Sequence, residues 1–589
     1  MHAIRVKPFL RDVFAQHGRQ FHVVVHQQNL AHFVSTFMTS AEMIRAGAAR
    51  ATRDGRCFYP HLHPFTRRKP GLTARSAKIS LNFRGISIFV MNKCFLLTSL
   101  ATALLFSASA GAAPLPDLGE ASAAVVSPQM EQTLGAQSMQ SLHASGAWLD
   151  DPEVNAYLEN LGRRLLQGDP ETAREPFEFF AVASNELNAF ALPGGHVGIN
   201  TALILATQSE SELASVMAHE ISHVSQHHIA RQIAGQAGNQ ALSIAAMLGA
   251  LIAAGTGNGQ AAMAAMTGVS AAQIQSQINY TREHEQEADR IGFQLLTNSG
   301  FDPRAMASFF ERLQQATRLA DSASVPPYLR THPLTHERIA EAQDRAFAST
   351  YKQVPDSQEY NLVRALLRSY EGQPQEAVAR FTTDLQEGRY QDRNAVRYGL
   401  AAAYLRAQDF AAAEKELSGL ERDKVHHPMI EALAGQVLTQ SGQDGAARLR
   451  YEAALKRYPG HLQLVYDYPR LLIKTRDFGP ALQFAEAHLV QRPQDPDLHQ
   501  IAAEAAAAQG LNQKSHFHQG EYYAAIGNTR SALEQFELAL KSADGDQRDQ
   551  LIVESRLDAL RARQKEEQQT RGMSAKHAEK FSLPAFTGR

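Results

Sequence analysis

The chain has 589 residues, room for several domains of ordinary size, with 58 Lys and Arg against 60 Asp and Glu and a formal net charge of −2. That balance gives no electrostatic reason to expect a nucleic-acid partner, so function has to come from local sites. The only two cysteines, Cys57 and Cys94, both precede position 113, where the mature chain is expected to begin, which leaves no thiol for a disulfide, a metal or a nucleophile.

Residues 1–90 are rich in Arg and His and show no sustained apolar period, which reads as a mis-annotated start or a disordered extension. From Met91 the pattern changes: Lys93 is followed by an apolar run from 95 to about 107 and by the small residues Ala110, Gly111 and Ala112. These are the three regions of a secretory signal peptide spanning 91–112, with cleavage after Ala112. An uncleaved anchor would equally leave the remainder outside the cytoplasm.

Residues 188–195, NAFALPGG, read as an apolar strand ended by Pro193 and two glycines. If one edge of it is free, it can take up an extended peptide through backbone hydrogen bonds alone. Residues 209–233 open with a capping box, Ser209 and Glu212, and carry Leu213, Val216, Met217, Ile221 and Val224 at helical spacing. His219, Glu220 and His223 therefore lie in a helix, with the two imidazoles one turn apart on one face. Two such His can share an ion, and Glu220 beside them can take a proton from water whose pKa zinc lowers to about 7. His227 and His228 read as caps on the same helix rather than as ligands.

Residues 234–273 are dominated by Ala, Gly, Met, Gln and Ser around an apolar run at 241–254 that is too short to span a bilayer. Helices packed in or over the active site, a mobile lid and a hairpin touching a membrane surface all suit this composition. Within 282–292, Glu285, Asp289, Gly292 and Leu296 form one helical stripe beside Ala288 and Leu295, a small apolar face fit to pack on the first helix. Glu285 is thus the third metal ligand, and Asp289, one turn on, is placed to hydrogen-bond a ligating imidazole. Glu283 and Glu287, about 200° away, read as a solvated face.

Similar turns recur at 407 (AQDF), 441 (SGQD) and 475 (TRDF), each 34 residues after the last and each between apolar helices. That is the tetratricopeptide period, and weaker turns at Gly372, Gly510 and Gly527 extend the array over 355–545. The highly charged 562–589 reads as a disordered tail.

HExxH at 219–223 followed by Glu285 and Asp289 within EQEADRIG resembles the integral-membrane and periplasmic zinc endopeptidases related to the CaaX prenyl proteases and HtpX. The resemblance implies a mainly α chain, in which an α+β zincin-type metalloprotease domain over 113–350 precedes the tetratricopeptide α-solenoid. It implies one zinc ion per chain on His219, His223 and Glu285, with Glu220 as the base and Asp289 orienting. It further matches Asn188, Ala189, Phe190 and Ala191 to a substrate-pairing strand, and the HPxxxxR at 332–338 to a His and an Arg near the metal. His332 then has two candidate roles, donating to the oxyanion or closing the open position of zinc, and Arg338 is either part of the site or a structural ion pair. Together with export and the array, these features are similar to the β-barrel assembly proteases of Gram-negative periplasms. That implies unfolded or stalled outer-membrane proteins as substrates, and contact with the β-barrel assembly machinery. A chaperone or scaffold that binds clients without cutting them is the alternative.

Overall fold

The structure is a computed structural model that describes residues 126–235, 271–318, 326–350, 352–545 and 547–580. The expected extension at 1–90, the signal peptide at 91–112, the centre of 234–273 and the last residues of the tail lie outside the described residues.

Two capped helices open the fold. Helix α1 (Pro128–Ser145) starts after Ser127, whose hydroxyl accepts from the Met130 amide, and α2 (Pro152–Leu166) after Asp151, whose carboxylate accepts from the Glu153 and Val154 amides. Pro at the first helical position gives up only an amide that would have lacked a helical partner. Val154, Leu158, Leu161 and Leu165 of α2 lie on one stripe and enter the main core.

A three-stranded sheet follows: β1 (Glu178–Val182), β2 (Ala189–Leu192) and β3 (His196–Asn200), in the order β1-β3-β2. β1 runs parallel and β2 antiparallel to β3, with Phe190 opposite Gly198. The β2–β3 turn needs Gly195, which has φ 91° and lies so close to the Pro176 carbonyl that a Cβ would fall 1.8 Å from its oxygen. β2 is an edge strand, and Met139 and Leu142 of α1 join Phe190 and Leu192 in a small core on one face of the sheet.

After a short α3 (Thr201–Ala206), α4 (Glu210–Ser225) is buried from Glu210 to Ser222. Ser209 Oγ accepts from the Glu212 amide as its pattern predicted, while Glu212 Oε2 reaches back to the Gln208 amide, one residue beyond the expected partner. The helix does not run to 233. It stops at Ser225, His227 takes the left-handed φ of 48°, and a separate α5 (His228–Gly235) begins. His228 is therefore not a cap on the metal-binding helix but the first residue of the next. Helix α6 (Ala271–Asn298) packs along α4, and Gly292 sets the approach: a Cβ there would lie 3.0 Å from the His219 backbone nitrogen. Helices α7 (Ala305–Arg318), α8 (Pro327–Thr331) and α9 (His336–Ala348) complete this half. No helix of the described residues is long and apolar enough to cross a membrane.

Helices joined by tight turns make up the rest: α10 (Gln358–Tyr370) with α11 (Pro374–Glu387), α12 (Arg393–Arg406) with α13 (Phe410–Arg422), and α14 (Pro428–Gln440) with α15 (Asp444–Arg457). The series continues with α16 (Leu462–Lys474) and α17 (Phe478–Leu489), α18 (Pro496–Ala508) and α19 (Asn512–Ala525), then α20 (Thr529–Lys541). The period is visible in the backbone itself. Gln408, Gly442, Arg476 and Gly510, each 34 residues after the last, all take positive φ in the turn of their pair. The final helix, α21 (Gln547–Lys580), continues through the segment expected to be disordered from 562. Its Arg, Lys, Glu, Gln and Ala are strong helix formers, and an interior Gly572 costs only about 1 kcal/mol.

The array folds back on the first half. Helix α10 packs against α2 and α3, and α16 against α2, where His461 Nε2 sits 2.9 Å from Glu153. Gln140 Nε2 of α1 donates to the Gly527 carbonyl at 2.8 Å. Between these contacts lies a cavity of about 1240 Å³, lined by Trp148, Asp150, Tyr466, Asp495, Asp497 and Tyr522 among others.

Candidate metal centre

Helix α4 delivers His219 and His223 to one face, α6 brings Glu285 against them, and the turn after α8 adds His332. The ligand atoms of these four residues all lie within 4.8 Å of one another. The Nε2 atoms of His219 and His223 are 3.0 Å apart, and the Glu285 carboxylate is 3.3 Å from the first and 3.4 Å from the second. His332 Nδ1 lies 2.9 Å from Glu285 Oε1 and 3.4 Å from His219 Nε2.

The surroundings are as ordered as the cluster. His219 Nδ1 faces Asp289 at 3.0 Å. Arg338, on the first turn of α9, forks onto Asp289 through Nε at 2.6 Å and Nη2 at 2.8 Å, and Nη1 reaches Glu285 at 2.8 Å. It is thus an ion pair that belongs to the site. All three residues are buried, so breaking this pairing would strand charge in a medium that solvates it poorly. Glu220 is fully buried, and neither carboxylate oxygen has a hydrogen-bond partner among the described residues; His332 Nε2 is 3.6 Å away.

Proton affinities follow from this arrangement. Burial alone would raise Glu285, but the charges of His332 and Arg338 and the bonds from His219 and His223 outweigh it and hold the carboxyl well below its usual range. Burial would lower His219, yet its bonds to Asp289 and Glu285 push it up to about 10. Burial keeps His223 down at about 4 and raises Glu220. The cluster therefore draws positive charge toward His219 and leaves His223 with a free lone pair. Two imidazoles and a carboxylate converging so closely, beside a buried carboxylate that accepts no hydrogen bond among the described residues, suit a divalent transition ion.

Residues 152–346 match peptidase family M48. Over 449 residues the chain is 33% identical to the putative beta-barrel assembly-enhancing protease of Vibrio cholerae, an overlap of 76% of this chain and 92% of that protein. The chain belongs to the beta-barrel assembly-enhancing proteases of peptidase family M48. The beta-barrel assembly-enhancing protease of Yersinia pestis is 30% identical over 448 residues, 76% of this chain and 91% of that one. The mitochondrial metalloendopeptidase OMA1 of Danio rerio is 30% identical over 169 residues, 29% of this chain and 35% of that protein. Membership makes the chain a metal-dependent protease, in which an α+β domain precedes a helical repeat array.

The remaining candidates from the sequence are spread around this centre. Ala189, Phe190 and Ala191 lie on edge strand β2, which packs against α4, and Asn188 immediately precedes it, its carbonyl accepting from the Asn200 amide. Glu283 is exposed, as expected for a solvated face, but Glu287 is not solvated in that sense. Its carboxylate lies 3.2 Å from His228 Nε2 and accepts from Arg231 Nη1 at 2.8 Å. His228 Nδ1 in turn sits 2.9 Å from His223 Nδ1, so a buried His and a half-buried Glu lie directly behind a candidate ligand. On the sequence alone, the angle from Glu285 puts Glu287 on a solvated face, and His228 reads as a cap because α4 is carried straight through His227.

Proposed function

We propose that this chain is a zinc-dependent endopeptidase of the Gram-negative periplasm that degrades misfolded or stalled outer-membrane β-barrel proteins and assists their assembly. The carrying observation is the buried convergence of His219, His223 and Glu285 beside the Glu220 carboxylate, which accepts no hydrogen bond among the described residues. The names of the Vibrio and Yersinia relatives support the link to barrel assembly, and the cavity between α1, α2 and the array offers a surface for clients or for the assembly machinery. In this reading the protease domain spans 113–350 and the solenoid 355–545, and a signal peptide at 91–112 exports the chain.

One zinc ion on His219, His223 and Glu285 would supply Lewis acidity and lower the pKa of water. Glu220, raised by burial, takes the proton from water and returns it to the leaving amine. Asp289 holds the Nδ1 proton of His219, and Arg338 fixes Asp289 and Glu285 relative to each other. The edge of β2 over Asn188, Ala189, Phe190 and Ala191 pairs with extended substrate.

The test compares the chain from Ala113, zinc-loaded, with its Glu220→Gln variant on an unfolded outer-membrane β-barrel protein, reading fragments by mass spectrometry. Cleavage by the parent alone is expected. Cleavage by neither, with zinc bound, would instead favour a chaperone or scaffold. One observation lends that second reading weight: His332 Nδ1 lies among the other donors, close enough to act as a fourth ligand and shut the site. His332→Ala would then raise cleavage.

A further inference from the structure

We propose that His228 and Glu287 form a positioning relay that fixes the tautomer of His223, so that its Nε2 lone pair is presented to the metal. This rests on the metal centre proposed above. The chain of contacts runs Arg231, Glu287, His228, His223. Arg231 Nη1 donates to Glu287 Oε2 at 2.8 Å, and the same oxygen lies 3.2 Å from His228 Nε2. A carboxylate beside a guanidinium is ionised and can only accept, so the proton of His228 sits on Nε2. His228 Nδ1 is then an acceptor. Because it faces His223 Nδ1 at 2.9 Å, the proton of that contact must be on His223. His223 Nε2 is left bare, 3.0 Å from His219 Nε2 and 3.4 Å from Glu285.

The backbone is shaped for this arrangement. On a continuous helix, residues five apart diverge by about 140° and cannot face each other. The left-handed His227 ends α4 and restarts the chain so that His228, the first residue of α5, turns back onto His223. His228 is only 3% exposed, and the ring of His284 lies flat on it with centroids 4.2 Å apart and planes 8° from parallel, which sets the plane of the imidazole. The two His ligands are thus oriented by different devices: His219 by Asp289 directly, His223 by a carboxylate acting through a second imidazole.

The experiment measures zinc dissociation constants by competition with a chromophoric chelator, and melting temperatures of the metal-free proteins, for the parent, His228→Ala, His228→Asn and Glu287→Ala. Loss of a group that orients a ligating His typically weakens metal binding about 10–100-fold, and that is expected for both alanine variants. The metal-free melting temperature should fall in His228→Ala, which empties a buried position, but stay within about 2 °C of the parent in Glu287→Ala, whose carboxylate is only half-buried, so that in the latter variant affinity is lost without stability. His228→Asn, whose Oδ1 can accept from His223 Nδ1, should return affinity to within about 3-fold of the parent. Unchanged affinity in the alanine variants overturns the relay. So does a loss in Glu287→Ala that tracks its metal-free melting temperature, or one in His228→Ala that asparagine does not relieve, since either means packing alone. A parent that binds no zinc overturns the metal centre itself, and the relay with it.

Discussion

Replacing Arg338 with Met keeps most of its volume and removes the cation that holds two buried carboxylates. Arg338 is 3% exposed and makes two bonds to Asp289 and one to Glu285. Removing one partner of a buried ion pair typically costs about 3–5 kcal/mol, because the remaining charge is left uncompensated. Asp289 and Glu285 each keep a contact to His219, at 3.0 and 3.3 Å, that offsets part of this, so the lower end is expected. At 2–4 °C per kcal/mol for a cooperative unit of 150–250 residues, about 3 kcal/mol lowers the melting temperature by roughly 6–12 °C. The measurement is a thermal melt of metal-free protein at pH 7.5, repeated with zinc, whose charge should shrink the loss by neutralising Glu285. Arg338→Lys keeps the charge but cannot fork, and should fall between the two. A drop below about 2 °C in the metal-free Met variant would refute the view that Arg338 compensates this carboxylate pair.

Other expectations follow from single positions. Burial outweighs the bond from His461 and raises Glu153 to about 7, so between its ordinary value near 4.5 and pH 7 the folded chain binds more protons than the unfolded one. Stability should therefore fall by up to roughly 3 kcal/mol as pH rises through that window, and thermal melts of Glu153→Gln should lack this part of the slope. Gly292→Val would drive methyl groups into the backbone of His219 and Ala218; a loss of about 2 kcal/mol in urea unfolding, with weaker zinc binding, is expected, and an unchanged midpoint would contradict the close approach. In the array, Gly442 at φ 79° has open space around it, so Gly442→Ala should cost about 1 kcal/mol from backbone strain alone. Gln408→Gly, at φ 59°, should be neutral or stabilising by up to about 1 kcal/mol, the two signs being read from urea midpoints.

What could be read from the sequence was whatever depends on a regular helix. The spacing of His219 and His223, the choice of Glu285 over Glu283 and Glu287, and the place of Asp289 all follow from angles around a helix axis, and Gly292 on that stripe is where the helices touch. His332 and Arg338 came only through a family resemblance, since a turn and a separate helix carry them across space to Glu285. The relay of His228 and Glu287 was invisible because it depends on a left-handed residue that is not glycine, and His227 gives no local sign of that conformation. The repeat turns were legible from their period, although Gln408 and Arg476 occupy backbone positions where glycine would be the simpler choice. Helicity to Lys580 was missed because high charge was weighed above helix propensity.

A stack of repeats is ordinarily open-ended, each unit touching only its neighbours, so units can be gained or lost like links in a chain. This one is buckled. Helix α10 is fastened to α2 and α3 at one end, and the Gly527 carbonyl is clasped by Gln140 at the other. Deleting one 34-residue unit would leave every remaining turn in register and still carry Gly527 away from its clasp. The number of links between the two fastenings therefore has to fit the distance from α2 and α3 to Gln140, and a change in either has to be matched by the other.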